Sequence, residues 1–136
     1  MEKLKRRIEE VEKALITLKE ISQEPYSVIV RDAAIQRFEY TFEAFWKFLR
    51  DHLSEIEGIR CNSPKSCFRE ALSAGLISEG QTMTCLEMTD DRNLTSHTYI
   101  EEVAEQIFRK ISSYGKLMEG IFSLVKKGIE DKKRGS

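Results

Sequence analysis

The sequence is poor in the residues on which metal, redox and secretory chemistry depend. It holds three cysteines, two histidines and two prolines in 136 residues. Cys61, Cys67 and Cys85 are odd in number and show no C-x-x-C spacing, the pattern expected of free thiols in a reducing compartment. With only His52 and His97 beside them, no zinc ligand set assembles, and no residue pattern asks for a metal or other cofactor. The formal net charge is −1, so no global basic field gathers nucleic acid, and any RNA contact must be local. No window approaches the ~20 uncharged apolar residues of a membrane span. The opening Met1-Glu2-Lys3-Leu4-Lys5-Arg6-Arg7 lacks the apolar core of a signal peptide, so a cytoplasmic protein is expected. Strand-like alternation, internal repeats and linkers are missing as well.

What is present is helical periodicity. Leu4, Ile8, Val11, Leu15 and Leu18 recur at steps of three and four, which predicts an amphipathic first helix running to about Glu24, before Pro25. Ser27 suits the N-cap of a second helix whose stripe is Ile35, Phe38, Phe42, Phe45, Trp46, Leu49 and Leu53, with Gly58 as the left-handed stop. At helical spacing these aromatics read as core; plain packing outweighs base stacking for Trp46. Ser63-Pro64 is an N-cap followed by proline at the first helical position, opening a short third helix that Gly75-Leu76 closes. Ser78-Glu79-Gly80-Gln81 is a capping pattern for a fourth helix to about Asn93, with Met83, Leu86 and Leu94 expected inside. The last helix carries Ile100, Val103, Ala104, Ile107, Phe108, Ile111, Tyr114, Met118, Ile121, Phe122 and Val125 on one stripe. Its ~28 residues span ~40 Å. Residues 126–136, with Lys132, Lys133 and Arg134, read as a frayed basic tail. The expectation is one all-α domain over 1–136: an antiparallel four-helix bundle with one additional short helix, its interior formed by the aromatic ridge against the last helix.

One polar stretch stands apart from this packing logic. Arg92-Asn93-Leu94-Thr95-Ser96-His97-Thr98-Tyr99 gathers an arginine, a histidine, a tyrosine and small hydroxyl residues. On a continuous helix five residues turn about 500°, leaving Arg92 and His97 roughly 140° apart. A break between them is needed. Thr95 and Ser96 compete for backbone hydrogen bonds, and Thr98-Tyr99-Ile100-Glu101 reads as a capping box for the next helix. Glu87, Asp90 and Asp91, just upstream, either pair with Arg92 or face water.

This stretch resembles the R-x4-H-x-Y motif of HEPN-domain proteins, matched by Arg92, His97 and Tyr99 with Asn93 as the polar residue after the arginine. The run Arg31 to Glu39 with Trp46, and the run Phe68 to Ile77, are similar to the branch known as nucleotidyltransferase substrate-binding proteins, over roughly Leu4 to Leu124. The resemblance implies a homodimer with a composite cleft and a minimal nucleotidyltransferase as partner. It also implies RNA as substrate, cut without a metal. Histidine fits a proton carrier because its ordinary pKa is near 6.5, and arginine fits a phosphate clamp because its fork grips two oxygens. On this resemblance His97 and Arg92 would take those catalytic roles, Asn93 would support them by fixing the ring tautomer or binding phosphate, and Tyr99 is implied as the site at which the partner adds AMP. Charge and bulk added there would close the cleft. The alternative is a non-catalytic interaction subunit that presents a substrate to a nucleotidyltransferase.

Overall fold

A computed structural model describes residues 2–135, with side chains described to Lys132. Among the described residues the chain forms five α-helices and no strand: α1 (Glu2–Ser22), α2 (Val28–His52), α3 (Pro64–Ser73), α4 (Glu79–Leu94) and α5 (Glu101–Gly135). The result is an antiparallel helical bundle with α3 as the short addition.

Most helix ends obey local chemistry. The Ser27 hydroxyl accepts from the Val30 amide, Ser63 forms a capping box with Ser66 ahead of α3, and Ser78 forms one with Gln81 ahead of α4. At the end of α3 the Leu76 amide bonds the Ala71 carbonyl at 2.9 Å and the Gly75 amide the Leu72 carbonyl at 3.0 Å. This is a Schellman ending, and Gly75 takes the positive φ of 78° that it requires. α2 does not run unbroken to its glycine. It widens into a π turn over Leu53–Glu57 before Gly58, at φ 68°, stops it.

The core is the ridge on α2. Phe38, Phe42, Phe45, Phe48 and Leu49 are fully buried, and each such side chain contributes about 1.5–3 kcal/mol relative to exposure. The Phe38 and Tyr114 rings lie 5.6 Å apart, and Phe48 meets Phe122 edge-on at 5.1 Å. With Arg31 reaching Glu101 and Glu105, these pairs show α2 and α5 running in the same direction. α1 lies antiparallel to α2, since Arg7 bonds Asp51 while Arg37 donates to the Thr17 carbonyl. Residues 126–135, expected as a frayed tail, continue as helix, with Ile129 buried and Lys126 and Lys132 paired to Glu12 and Glu57, while the side chains of Lys133 and Arg134 lie outside the described residues. No described helix is long and apolar enough to cross a membrane.

Three local expectations are corrected. Cys61 and Cys67 form a disulfide rather than remaining free thiols, leaving Cys85 as the buried free cysteine. The loop after Gly58 turns back onto α3 and brings their Cα atoms to 5.2 Å, within disulfide reach, although their spacing matches no recognised motif. Met83 and Leu94 point outward, at 72% and 41% exposed. α4 instead buries Thr82, Cys85, Met88 and Thr89, and the threonine hydroxyls are satisfied by the carbonyls of Ser78 and Cys85. Finally, the capping box expected at Thr98 is not formed: its hydroxyl donates backwards to the Thr95 carbonyl, and α5 begins at Glu101.

Candidate functional site

The break between Arg92 and His97 has a visible cause. Thr95 Oγ1 donates to the Arg92 carbonyl at 2.6 Å, Ser96 Oγ to the Asn93 carbonyl at 3.1 Å, and Thr98 Oγ1 to the Thr95 carbonyl at 3.2 Å. Hydroxyls thus take the acceptors that a continuing helix would use. The chain tightens into a 3-10 turn over Thr95–His97. Arg92 therefore stands in the last turn of α4, and His97 on the connector leading to α5.

Arg92 does not turn to the acidic residues beside it. Asp90 pairs with Lys65 of α3, while Glu87 and Asp91 pair with Lys110 of α5, and Asp91 also accepts from the buried Tyr114 hydroxyl. Burial and that carboxylate push the Tyr114 hydroxyl well above its ordinary pKa, so it stays protonated and locks α4 to α5. The Arg92 guanidinium reaches α2 instead. Nε lies 3.6 Å from Glu43 and Nη1 3.9 Å from Glu39, and Nη1 donates to Thr95 Oγ1 at 3.1 Å. Nε is buried without a hydrogen-bond partner among the described residues, and its compensation is the nearby Glu43 charge. Glu39 lay in a stretch already singled out, but the sequence carried no sign that it and Glu43 would face an arginine fifty residues later. Their spacing of four on one helix face is the only hint.

His97 is exposed. Its Nδ1 lies 3.3 Å from the Tyr99 hydroxyl, with the two rings edge-on at 5.9 Å. Tyr99 is 77% exposed. Asn93 is also exposed, but the described contact of the His97 ring is with Tyr99 rather than with Asn93. Arg92 and His97 thus lie in successive turns without touching each other among the described contacts.

Residues 6–126 match the family model described as nucleotidyltransferase substrate binding protein like. The chain belongs to that family. Its similarity to other members extends from sequence to fold. A Haemophilus influenzae protein named a probable ribonuclease HepT is 35% identical over 95 residues, 67% of this chain. The match spans 62% of that relative's length. A Thermus thermophilus crystal structure is 50% identical, with TM-score 0.82, covering 85% of this chain and 98% of that one. A Haemophilus influenzae structure, described as revealing the fold of a substrate binding domain of a nucleotidyltransferase, is 25% identical with TM-score 0.61, covering 90% of this chain and 96% of its own. A chain of the MntA–HpeT toxin–antitoxin mutant, at 13% identity and TM-score 0.78, covers 93% of this chain and 99% of that one, and shares the fold. The R-x4-H-x-Y stretch thus runs from the last turn of α4 into the α4–α5 connector, with Arg92 beside the carboxylates of α2.

Proposed function

We propose that this chain is a HEPN-type toxin: a single-domain, cytoplasmic, metal-independent RNA endonuclease restrained by a minimal nucleotidyltransferase partner. The observation that carries the reading is the placement of Arg92 and His97 on either side of a hydroxyl-made helical break, with the exposed Tyr99 hydroxyl against the imidazole. In that reading Arg92 grips a phosphate oxygen and His97 takes the proton from the 2′-hydroxyl. The 2′-oxygen attacks phosphorus, the bond to the 5′-oxygen breaks, and a proton returns to that oxygen. The products are a 2′,3′-cyclic phosphate end and a 5′-hydroxyl end. One histidine serves one proton position well and two poorly. A homodimer supplies the second copy in a shared groove, consistent with an Arg92 and a His97 that do not meet within one chain. Asn93, exposed beside Arg92, supplies a further polar contact to the RNA backbone.

The name of the Haemophilus influenzae relative supports the ribonuclease reading, and the toxin–antitoxin neighbour supports the fold it needs. AMP added to Tyr99 would place phosphate charge and bulk against the His97 imidazole that the reading needs free for the RNA. A second reading has its own support in the family description: a non-catalytic subunit that binds a substrate for the nucleotidyltransferase. The test is RNA cleavage in chelator by the purified chain and by Arg92→Ala and His97→Ala. The nuclease reading expects cleavage by the first and none by the variants at unchanged helicity. Intact RNA in all three, with co-purification of a nucleotidyltransferase, favours the second reading.

A further inference from the structure

The surroundings of Arg92 on α2 carry more order than a surface ion pair needs. Glu43 is held from behind: Trp46 Nε1 donates to Glu43 Oε2 at 3.1 Å, with the more distant Lys47 ammonium at 3.8 Å from the same oxygen, and Trp46 is 8% exposed with the Arg50 guanidinium 5.2 Å from its ring centroid. This leaves Oε1 of the same carboxylate facing the buried Arg92 Nε at 3.6 Å. Glu39, one turn earlier, stands 3.9 Å from Nη1, and Thr95 Oγ1 fixes Nη1 from the other side. Nε and Nη1 are therefore restrained, while Nη2 has no hydrogen-bond partner among the described residues.

We propose that Glu43, oriented by Trp46, is the positioning residue that presets the Arg92 guanidinium so that its remaining N–H groups meet the scissile phosphate. This rests on the cleavage reading above. The physical reason is that a buried guanidinium N–H without a nearby negative charge is strongly disfavoured. Without Glu43 the side chain gains by swinging into water, and the fork loses its alignment. Two carboxylates beside a phosphate-binding arginine also repel RNA. Glu43 therefore improves geometry at the expense of affinity, and its effect falls on turnover rather than on binding.

That division gives a test that a merely structural residue would not pass. The full-length protein is assayed in chelator on a short single-stranded RNA. Glu43→Gln keeps a carbonyl for Trp46 and removes the charge; kcat is expected to fall about 10- to 100-fold, with KM unchanged or lower. Trp46→Phe lowers kcat by less, and the double variant falls no further than Glu43→Gln alone. A second readout does not depend on activity: the Arg92 Nε–H resonance is expected to exchange slowly in the unaltered protein and in His97→Ala, and rapidly in both Glu43→Gln and Trp46→Phe. Wild-type kcat in Glu43→Gln, or a loss confined to KM, overturns the proposal provided that Arg92→Ala is inactive in the same assay. If the unaltered protein leaves RNA intact, the cleavage reading fails instead, and exchange at Nε still decides whether Glu43 holds the guanidinium.

Discussion

The two histidines sit in opposite surroundings at opposite ends of the α2–α5 pair. His97 lies on a 3-10 turn at the end where Arg31 meets Glu101, exposed and touching Tyr99. His52 closes α2 at the end where the π turn begins, 4% exposed, its Nδ1 buried with no hydrogen-bond partner among the described residues. Burial holds the His52 pKa below its ordinary value; Glu57 opposes that shift and Lys132 reinforces it. The comparison teaches that residue type does not make a catalyst. An imidazole sealed against Phe48, at 6.3 Å between rings, is part of the core, whereas one on an exposed polar turn can exchange protons with a substrate.

The largest expected effect separates the two ends. His97→Ala should lower RNA cleavage in chelator by about 10²- to 10⁴-fold while leaving thermal unfolding unchanged. Phe48→Ala, beside His52, should do the reverse: a loss of about 3–5 kcal/mol in denaturant unfolding, with cleavage kept by the molecules that remain folded. Replacing both Cys61 and Cys67 by alanine opens a short loop and should lower stability by about 2 kcal/mol, measured against the unaltered protein without reductant. The smallest effect is a pH dependence. Since His52 binds its proton less readily folded than unfolded, acid favours unfolding. Its stabilising contribution is complete above the ordinary histidine value near 6.5 and is lost as pH falls through the depressed folded value. His52→Gln should flatten the stability profile over that interval. A profile that is already flat in the unaltered protein would mean that His52 is not sealed.

Much of this molecule could be read from sequence because its causes are local. The aromatic ridge of α2 followed from a 3.6-residue period, and Ser27, Ser63, Ser78, Gly58 and Gly75 marked helix ends through chemistry spanning a few residues. The helical break after Arg92 was legible for the same reason, as hydroxyls capture carbonyls three residues back. What escaped depends on distant parts of the chain. The acidic run before Arg92 went to Lys65, Lys110 and Tyr114, while the arginine took Glu39 and Glu43 from another helix. The inward face of α4 was misplaced because it is lined by threonines and a cysteine, which hydropathy passes over although their hydroxyls are satisfied within the helix. The Cys61–Cys67 bond depended on a loop path that no spacing rule describes.

The measurement that bears most directly on the account is the rate of RNA cleavage in chelator by His97→Ala and His52→Gln side by side, each corrected for its folded fraction. The account predicts an inactive His97 variant and a His52 variant that cuts at the rate of the unaltered protein. Equal activity in both, or a loss confined to the His52 variant, would contradict it.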